Sequence, residues 1–350
     1  MCEEILRKAK EWFEQGGNYI LRNQYHKAVE LYDRAIRGFN EAEKLGYDEK
    51  ECCYWRARAQ YELSRCYGNQ GHYLEAGVEL KKAIEGFNRA EELGYDGKEC
   101  CYWRAKAYRN LGKSYYDLGH YLEAGVELKK AIEGFNRAEE LGYDEKECCY
   151  WRAATQYELS KCYGNRGHHP EAGVEYKKAI EGFNRAEELG YDGKECCYWR
   201  ACALYGLGWC WYDLGQYHKA VDAFKRAIEG FNRAEELGYD EKECCYWRAQ
   251  AQYELSRCYG NQGHHPEAGV EYKKAIEGFN RAEELGYDGK ECCYWRAKAQ
   301  YELSRCYGNQ GHYLEAGVEY KKAIEGFNRA EELGYDEKEC CYWRAGLVLP

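Results

Sequence analysis

Apolar positions recur along this chain in steps of three and four. After Asp48 they fall at Cys52, Trp55, Ala59, Leu63 and Cys66, the spacing that keeps one face of an α-helix out of water. Cys53, Tyr61 and Tyr67 widen the stripe, so this segment, helix A, is expected to be buried on more than one side. Gly68-Asn69-Gln70-Gly71 breaks it. Helix B follows, with Tyr73, Ala76, Leu80, Ala83, Phe87 and Ala90 holding the alternation over almost three heptads. Asp48 with Glu51 has the spacing of a capping box at the start of helix A. Gly94, after Leu93, is the expected stop of helix B, with Tyr95 folding back on the last turn. Each helix should hold about 20 residues and span about 30 Å.

The pattern returns at Glu99, Glu147, Glu195, Glu243 and Glu291, always 48 residues on, and starts once more at Glu339. A diverged copy occupies 3–50, so the units are 3–50, 51–98, 99–146, 147–194, 195–242, 243–290 and 291–338, with a partial helix over 339–350. A hairpin of this size cannot bury its apolar face alone and must stack on its neighbours. The expected architecture is therefore a single all-α domain over 1–350, a solenoid of stacked antiparallel helix hairpins. Asp-Glu-Lys and Asp-Gly-Lys alternate between successive copies from Asp48 to Asp336, as duplication of 96-residue pairs would leave them. In the first copy Glu4, Arg7 and Glu11 replace the cysteine, tryptophan and alanine of helix A, which suits a solvent-facing cap. Tyr342 and Trp343 begin another helix A that no helix B follows.

These residues resemble the tetratricopeptide repeats. The family's pattern is clearest as Leu207, Gly208, Trp211, Ala220, Phe224 and Ala227, and it recurs as Leu63-Ser64, Tyr67, Ala76, Leu80 and Ala83, and as Leu111-Gly112, Tyr115, Ala124, Leu128 and Ala131. There are two departures. Asn88 stands where the family ordinarily has proline, and the period is 48 against the family's ~34. The excess is roughly two heptads, one per helix, and it should lengthen the hairpin while keeping both apolar faces aligned.

Composition narrows the function. The net charge of -10 opposes phosphate-backbone binding, so no nucleic-acid partner is expected. No run of eighteen apolar residues suggests membrane insertion, and the charged start of the chain lacks the apolar core of a signal peptide. A cytoplasmic location is the expectation, with an extracellular one if the cysteines prove to be disulfide-bonded.

No phosphate-binding loop, zincin helix or nucleophile elbow is present, and every candidate for chemistry recurs at equivalent positions. An enzyme or a cofactor is not expected. The 21 cysteines are mostly copies of three positions. They read as small buried hydrophobes, as a ladder of inter-repeat disulfides Cys53–Cys100, Cys101–Cys148 and Cys149–Cys196, or as ligands of a structural zinc. The His168-His169-Pro170 and His264-His265-Pro266 runs read as a turn leading into a first helical turn.

The resemblance implies a right-handed superhelix with a groove on helix A that holds extended peptides. Its positions carry over to Tyr61, Arg65 and Asn69; Arg109, Lys113 and Asp117; Tyr157, Lys161 and Asn165; Tyr205, Trp209 and Asp213; Tyr253, Arg257 and Asn261; and Tyr301, Arg305 and Asn309. Five of these six trios offer a cation at the middle position. A basic, tyrosine-rich trough would suit an acidic protein or peptide ligand. A merely solvated polar face is the alternative for these residues. The alternative for the whole chain is head-to-tail self-association through its C-terminal end.

Overall fold

The computed structural model describes residues 2–348, with side chains described for 3–344. Among the described residues there are fifteen α-helices and no strand. Contacts gather into two compact units, residues 1–189 and 190–350. The first holds α1 (Cys2–Ile20), α2 (Tyr25–Lys44), α3 (Glu49–Asn69), α4 (Tyr73–Glu92), α5 (Gly97–Asp117), α6 (Tyr121–Glu140), α7 (Glu145–Asn165) and α8 (His169–Glu188). The second holds α9 (Gly193–Asp213), α10 (Tyr217–Glu236), α11 (Glu241–Asn261), α12 (His265–Glu284), α13 (Gly289–Asn309), α14 (Tyr313–Glu332) and α15 (Glu337–Val348). Within each unit every helix A packs on its own helix B, and that helix B packs on the next helix A. This is an all-α solenoid of stacked antiparallel hairpins.

The local signals act where the sequence places them, with one exception. Asp96 caps α5, accepting from the Lys98 amide at 3.1 Å. At the end of α4, Gly94 adopts φ +85°, a conformation that glycine alone enters freely. There the Gly94 amide donates to the Glu91 carbonyl and the Tyr95 amide to the Ala90 carbonyl, both at 2.9 Å. Tyr95 folds back to stack on Tyr54, with ring centroids 4.2 Å apart. The capping box is the exception. Glu99 does not reach back to its cap; its carboxylate accepts from the Tyr54 hydroxyl of the preceding repeat and from Trp103 Nε1, both at 3.1 Å. Glu51 likewise accepts from Lys10 Nζ at 2.6 Å. Packing of one repeat on the next brings better donors to this carboxylate than its own cap amide.

Helix A is buried on several sides, as expected. In α3 Cys52, Cys53, Tyr54, Ala57, Ala59, Tyr61, Leu63 and Cys66 are all buried. In α4 the buried seam is Ala76, Leu80, Ala83, Ile84, Phe87 and Ala90. Burying a side chain the size of Phe87 contributes about 1.5–3 kcal/mol. The two helices of this hairpin touch at Gly86, where an added Cβ would lie 2.8 Å from the Cβ of Ala57. Asn88, in the proline position, has a role of its own: its Oδ1 accepts from Arg104 Nη1 of the next repeat at 2.7 Å. Arg104 also pairs with Glu91 and donates to the Cys101 sulfur at 3.4 Å.

At the start of the chain Glu4, Arg7 and Glu11 are exposed and joined by Lys8–Glu4 and Arg7–Glu11 ion pairs. At the other end Tyr342 is 73% exposed, as expected. Trp343, by contrast, docks backward without a helix B. Its ring stacks on Phe327 and its Nε1 donates to the Tyr294 hydroxyl at 3.0 Å. No helix among the described residues is long and apolar enough to cross a membrane.

Candidate functional site

Each helix A ends in a turn whose outward residues meet those of the next helix A, and this junction opens into a cleft in both units. In the first unit a cleft of about 390 Å³ is lined by Arg65, Asn69 and Tyr73 together with Arg109, Asn110, Lys113 and Asp117. In the second a cleft of about 200 Å³ is lined by Tyr212, Arg257, Asn261 and His265 together with Glu302, Arg305 and Asn309. These are equivalent places, four repeats apart: Arg65 matches Arg257, Asn69 matches Asn261, Lys113 matches Arg305 and Asp117 matches Asn309. The residues expected on one helix face are thus brought together between neighbouring helices.

The tyrosines of the expected trios divide. Tyr61 and Tyr253 are only 4% and 2% exposed, and pack edge-on against Trp103 and Trp295 of the next repeat. They line neither cleft and are not available as ligand contacts, a correction to the expectation of a tyrosine-rich trough. Tyr205 likewise meets Phe224 and Trp247 edge-on, and Tyr301 meets Trp343. Tyr157 packs against Tyr176.

The cations of the trios are paired with glutamates three residues earlier, because that spacing places both on one helix face. Arg65 bonds Glu62 and Arg257 bonds Glu254, both at 2.7 Å, Arg305 bonds Glu302 at 3.1 Å and Lys161 bonds Glu158 at 3.3 Å. Arg109 reaches Glu158 of the next repeat at 3.8 Å. The trough is therefore less basic than its arginines suggest. Lys113 is the exception: Asn110 occupies the position of the glutamate, and the nearby anion is Asp117, four residues on.

Two further aromatics contact the expected groove residues, and one of them, Tyr212, lines the second-unit cleft. Tyr116 and Tyr212 stand where other repeats have a glycine such as Gly68, and this substitution is the signal that could have identified them. Lys161 lies 4.5 Å from the Tyr116 ring centre, and Asn165 donates to the Tyr116 hydroxyl at 2.7 Å. Arg257 lies 4.6 Å from the Tyr212 ring centre and 5.3 Å from that of Trp209, and donates to the Tyr212 hydroxyl at 3.0 Å. Asn261 donates to the same hydroxyl at 2.8 Å.

A second row of cations lies against the tryptophan of the next repeat: Lys10 on Trp55 at 5.0 Å, Arg58 on Trp103 at 3.4 Å, Lys106 on Trp151 at 4.2 Å and Lys298 on Trp343 at 4.9 Å. Burial pushes the Lys106 ammonium down to about 8. These half-buried side chains join one repeat to the next and so belong to the scaffold.

The cysteines also have a defined place. Cys53, Cys100, Cys101, Cys148, Cys149 and Cys196 are buried free thiols, so the ladder Cys53–Cys100, Cys101–Cys148 and Cys149–Cys196 is not formed in this structure. Cys53 and Cys100 share one apolar cluster, as do Cys101 and Cys148, so they pack as small hydrophobes. Burial pushes the Cys100 and Cys148 thiols up to about 12. Among the described residues possible metal ligands gather as Glu43, Glu49 and Cys53 and as the equivalents of that group. Glu43 and Glu49 already pair with Arg56 and Arg89, which leaves no uncompensated charge there for a cation.

Stacked helix hairpins of nearly identical sequence, with a recurring cleft between successive first helices, define a helical-repeat protein. Sequence models of the tetratricopeptide repeat match residues 57–85, 99–133, 201–229 and 297–325. The repeats are tetratricopeptide repeats in an extended, 48-residue form. No curated protein matches the sequence. Among solved structures the chain is similar to BtubC (BKLC) from P. vanneervenii, at 17% identity and a TM-score of 0.55, covering 74% of this chain and 92% of that one. It is similar to a Rap protein complexed with Competence and Sporulation Factor, at 17% identity and 0.51, covering 93% and 76%. A third is aspartyl phosphate phosphatase F from Bacillus subtilis, at 15% identity and 0.56, covering 93% and 71%. At these identities the likeness concerns the fold.

Proposed function

We propose that the chain is a non-enzymatic protein-binding scaffold whose helix A clefts hold an extended, acidic segment of a partner protein. The observation that carries this reading is the recurrence of one cleft, with a cation and an amide side chain in matching places, in both units. Asparagine and arginine side chains offer donors spaced to bond a carboxylate-bearing chain. The solved structure of a Rap protein with Competence and Sporulation Factor supports the general mode, a partner held by a fold of this kind.

Arg257 is a poor probe of this reading, because removing it would strand Glu254, whose side chain is 1% exposed. Lys113 and Arg305 are exposed and suit the purpose. Lys113→Glu combined with Arg305→Glu is expected to weaken binding of an acetylated hexaglutamate peptide by about tenfold or more, with helical circular dichroism unchanged. Unchanged affinity in the folded variant removes the groove reading.

A second reading, self-association through the last hairpin, is favoured by the exposure of Tyr313 at 77% and Tyr342 at 73%. It requires a molar mass by light scattering that rises with concentration and returns to that of one chain in a Tyr313→Glu, Tyr342→Glu variant.

A further inference from the structure

Besides the exposed Glu14 of the diverged first copy, four repeats carry a glutamate at the same place on helix A: Glu62, Glu158, Glu254 and Glu302. Their side chains are 12%, 10%, 1% and 18% exposed, so Glu254 alone of the four is sealed from water. Glu158 meets two cations, Lys161 on its own helix and Arg109 on the preceding helix A. At the equivalent place before Glu254 the preceding helix carries Tyr205. Glu254 Oε2 therefore accepts from Arg257 at 2.7 Å, and its Oε1 is buried with no partner. A buried carboxylate with one bare oxygen costs free energy that a proton on that oxygen removes.

Charged and titratable groups face it from four helices. Its own helix, α11, offers Arg257 and the buried Tyr253; α9 offers Asp213 and Tyr205; α12 offers Tyr272; α13 offers Lys298. Among the described residues α10 contributes no hydrogen bond or ion pair to it. Burial pushes the Glu254 carboxyl up to about 7, while Arg257 and Lys298 pull it down and Asp213 adds to the rise.

Arg257 links this buried group to the surface. It is 30% exposed and lines the cleft with Arg305, Asn261, Asn309 and Glu302, so one guanidinium faces both Glu254 and any anion in the cleft. With Glu254 ionised, that charge is already neutralised from below. With Glu254 protonated, it is available to the cleft.

We propose that the cleft between α11 and α13 is a proton-coupled anion site, in which Glu254 takes up a proton from solvent as an acidic segment of the partner takes over the Arg257 guanidinium. The proton goes to the bare Oε1, the Arg257–Glu254 ion pair becomes a bond to a neutral acid, and no other bond changes. This rests on the reading of the clefts as sites for acidic segments and adds their regulation: capture in the second unit strengthens as pH falls through neutrality. The first-unit cleft lacks the device: its equivalent pair is Arg65 with Glu62, and the Glu62 side chain is 12% exposed where that of Glu254 is 1%.

The test uses the full chain and acetylated hexaglutamate, which stays ionised over the range, with affinity measured at about pH 6 and about pH 8. Lys113→Glu as background isolates the second-unit cleft. Affinity is expected to be about tenfold weaker at the higher pH, the ratio for a site competent only when Glu254 is protonated. Calorimetry in two buffers of different ionisation enthalpy is expected to show proton uptake on binding. Glu254→Gln should bind at the higher pH as tightly as the parent does at the lower, and lose the uptake. His265 lines the same cleft, so His265→Asn is the control; transfer of the pH dependence to that residue overturns the proposal. Binding with no pH dependence and no proton uptake, both measured without touching Glu254, also overturns it and leaves the groove reading standing. Failure of the peptide to bind at either pH removes the groove reading, and this proposal with it.

Discussion

Glu254 and Glu99 have the same side chain and opposite surroundings. Glu99 is a surface-side acceptor between two donors, while Glu254 is an ion in the core with one oxygen unpaired. The difference has a thermodynamic consequence. An unfolded glutamate releases its proton near about 4.3, whereas the folded Glu254 retains it up to about 7. The fold thus binds more protons in that window and its stability rises as pH falls through it. Relative to Glu254→Gln, the parent should gain about 1.4 kcal/mol between about pH 8 and about pH 6, measured as the difference between urea unfolding curves at the two values. The tie between Tyr102 and Glu147, at 3.0 Å, carries a smaller load: Tyr102→Phe should cost about 1 kcal/mol, read from the same curves. Thiol chemistry follows burial. Of the described cysteines Cys341 is the exposed one, so Ellman's reagent should label it rapidly, and Cys53, Cys100 and their equivalents only on unfolding.

Between helices, the closest approach sets what the hairpin tolerates. Gly134 faces Ala105 as Gly86 faces Ala57, with 2.8 Å left for a new Cβ. Gly134→Ala raises helix propensity, which alone would stabilise by up to about 1 kcal/mol. Overpacking against the neighbouring backbone costs about 1–3 kcal/mol, and we expect it to win. A lower midpoint in thermal unfolding checks this; a higher one would show that α5 and α6 can separate without loss. The helix lengths of 20 and 21 residues in α4 and α5 agree with the reading of one added heptad per helix. An equal extension of both partners preserves the seam because each added heptad returns the apolar face to the same side. The neighbouring repeat, however, was visible only as a period: the bond from Asn88 to Arg104 and the lodging of Glu99 against Tyr54 need the offset between hairpins, which no single helix encodes.

Taken over all its repeats, the molecule sets a local attraction against a global repulsion. The net charge is -10, while Lys113, Arg257 and Arg305 line the clefts. An acidic peptide approaching from a distance meets the net charge first, and salt screens that field over about 10 Å at 0.1 M. The association rate for hexaglutamate should therefore rise as salt increases from a few millimolar, and the dissociation rate should rise with it as the contact pairs weaken. Stopped-flow mixing at two salt concentrations separates the two; an association rate that falls with salt would mean that the clefts dominate even at long range.

Helix positions, the aspartate caps, the glycine stops and the seams of A on B were legible along the chain, because each depends on residues within a few turns of one another. Cys52 through Cys66 and Tyr73 through Ala90 needed no more than their spacing. What the chain alone left open was which of several outward residues would remain outward. Tyr61 and Tyr253 carry a polar tip and sit at groove positions, yet the tryptophan of the next repeat covers them. Glu62 and its equivalents were readable at the i, i+3 distance from their cations, but their depth, and so the difference between Glu62 and Glu254, is decided by what the adjoining helices place opposite them. Local periodicity chooses the helix and its buried stripe; the desolvation and pairing of a charge depend on groups a whole repeat away, and only stacking brings those within reach.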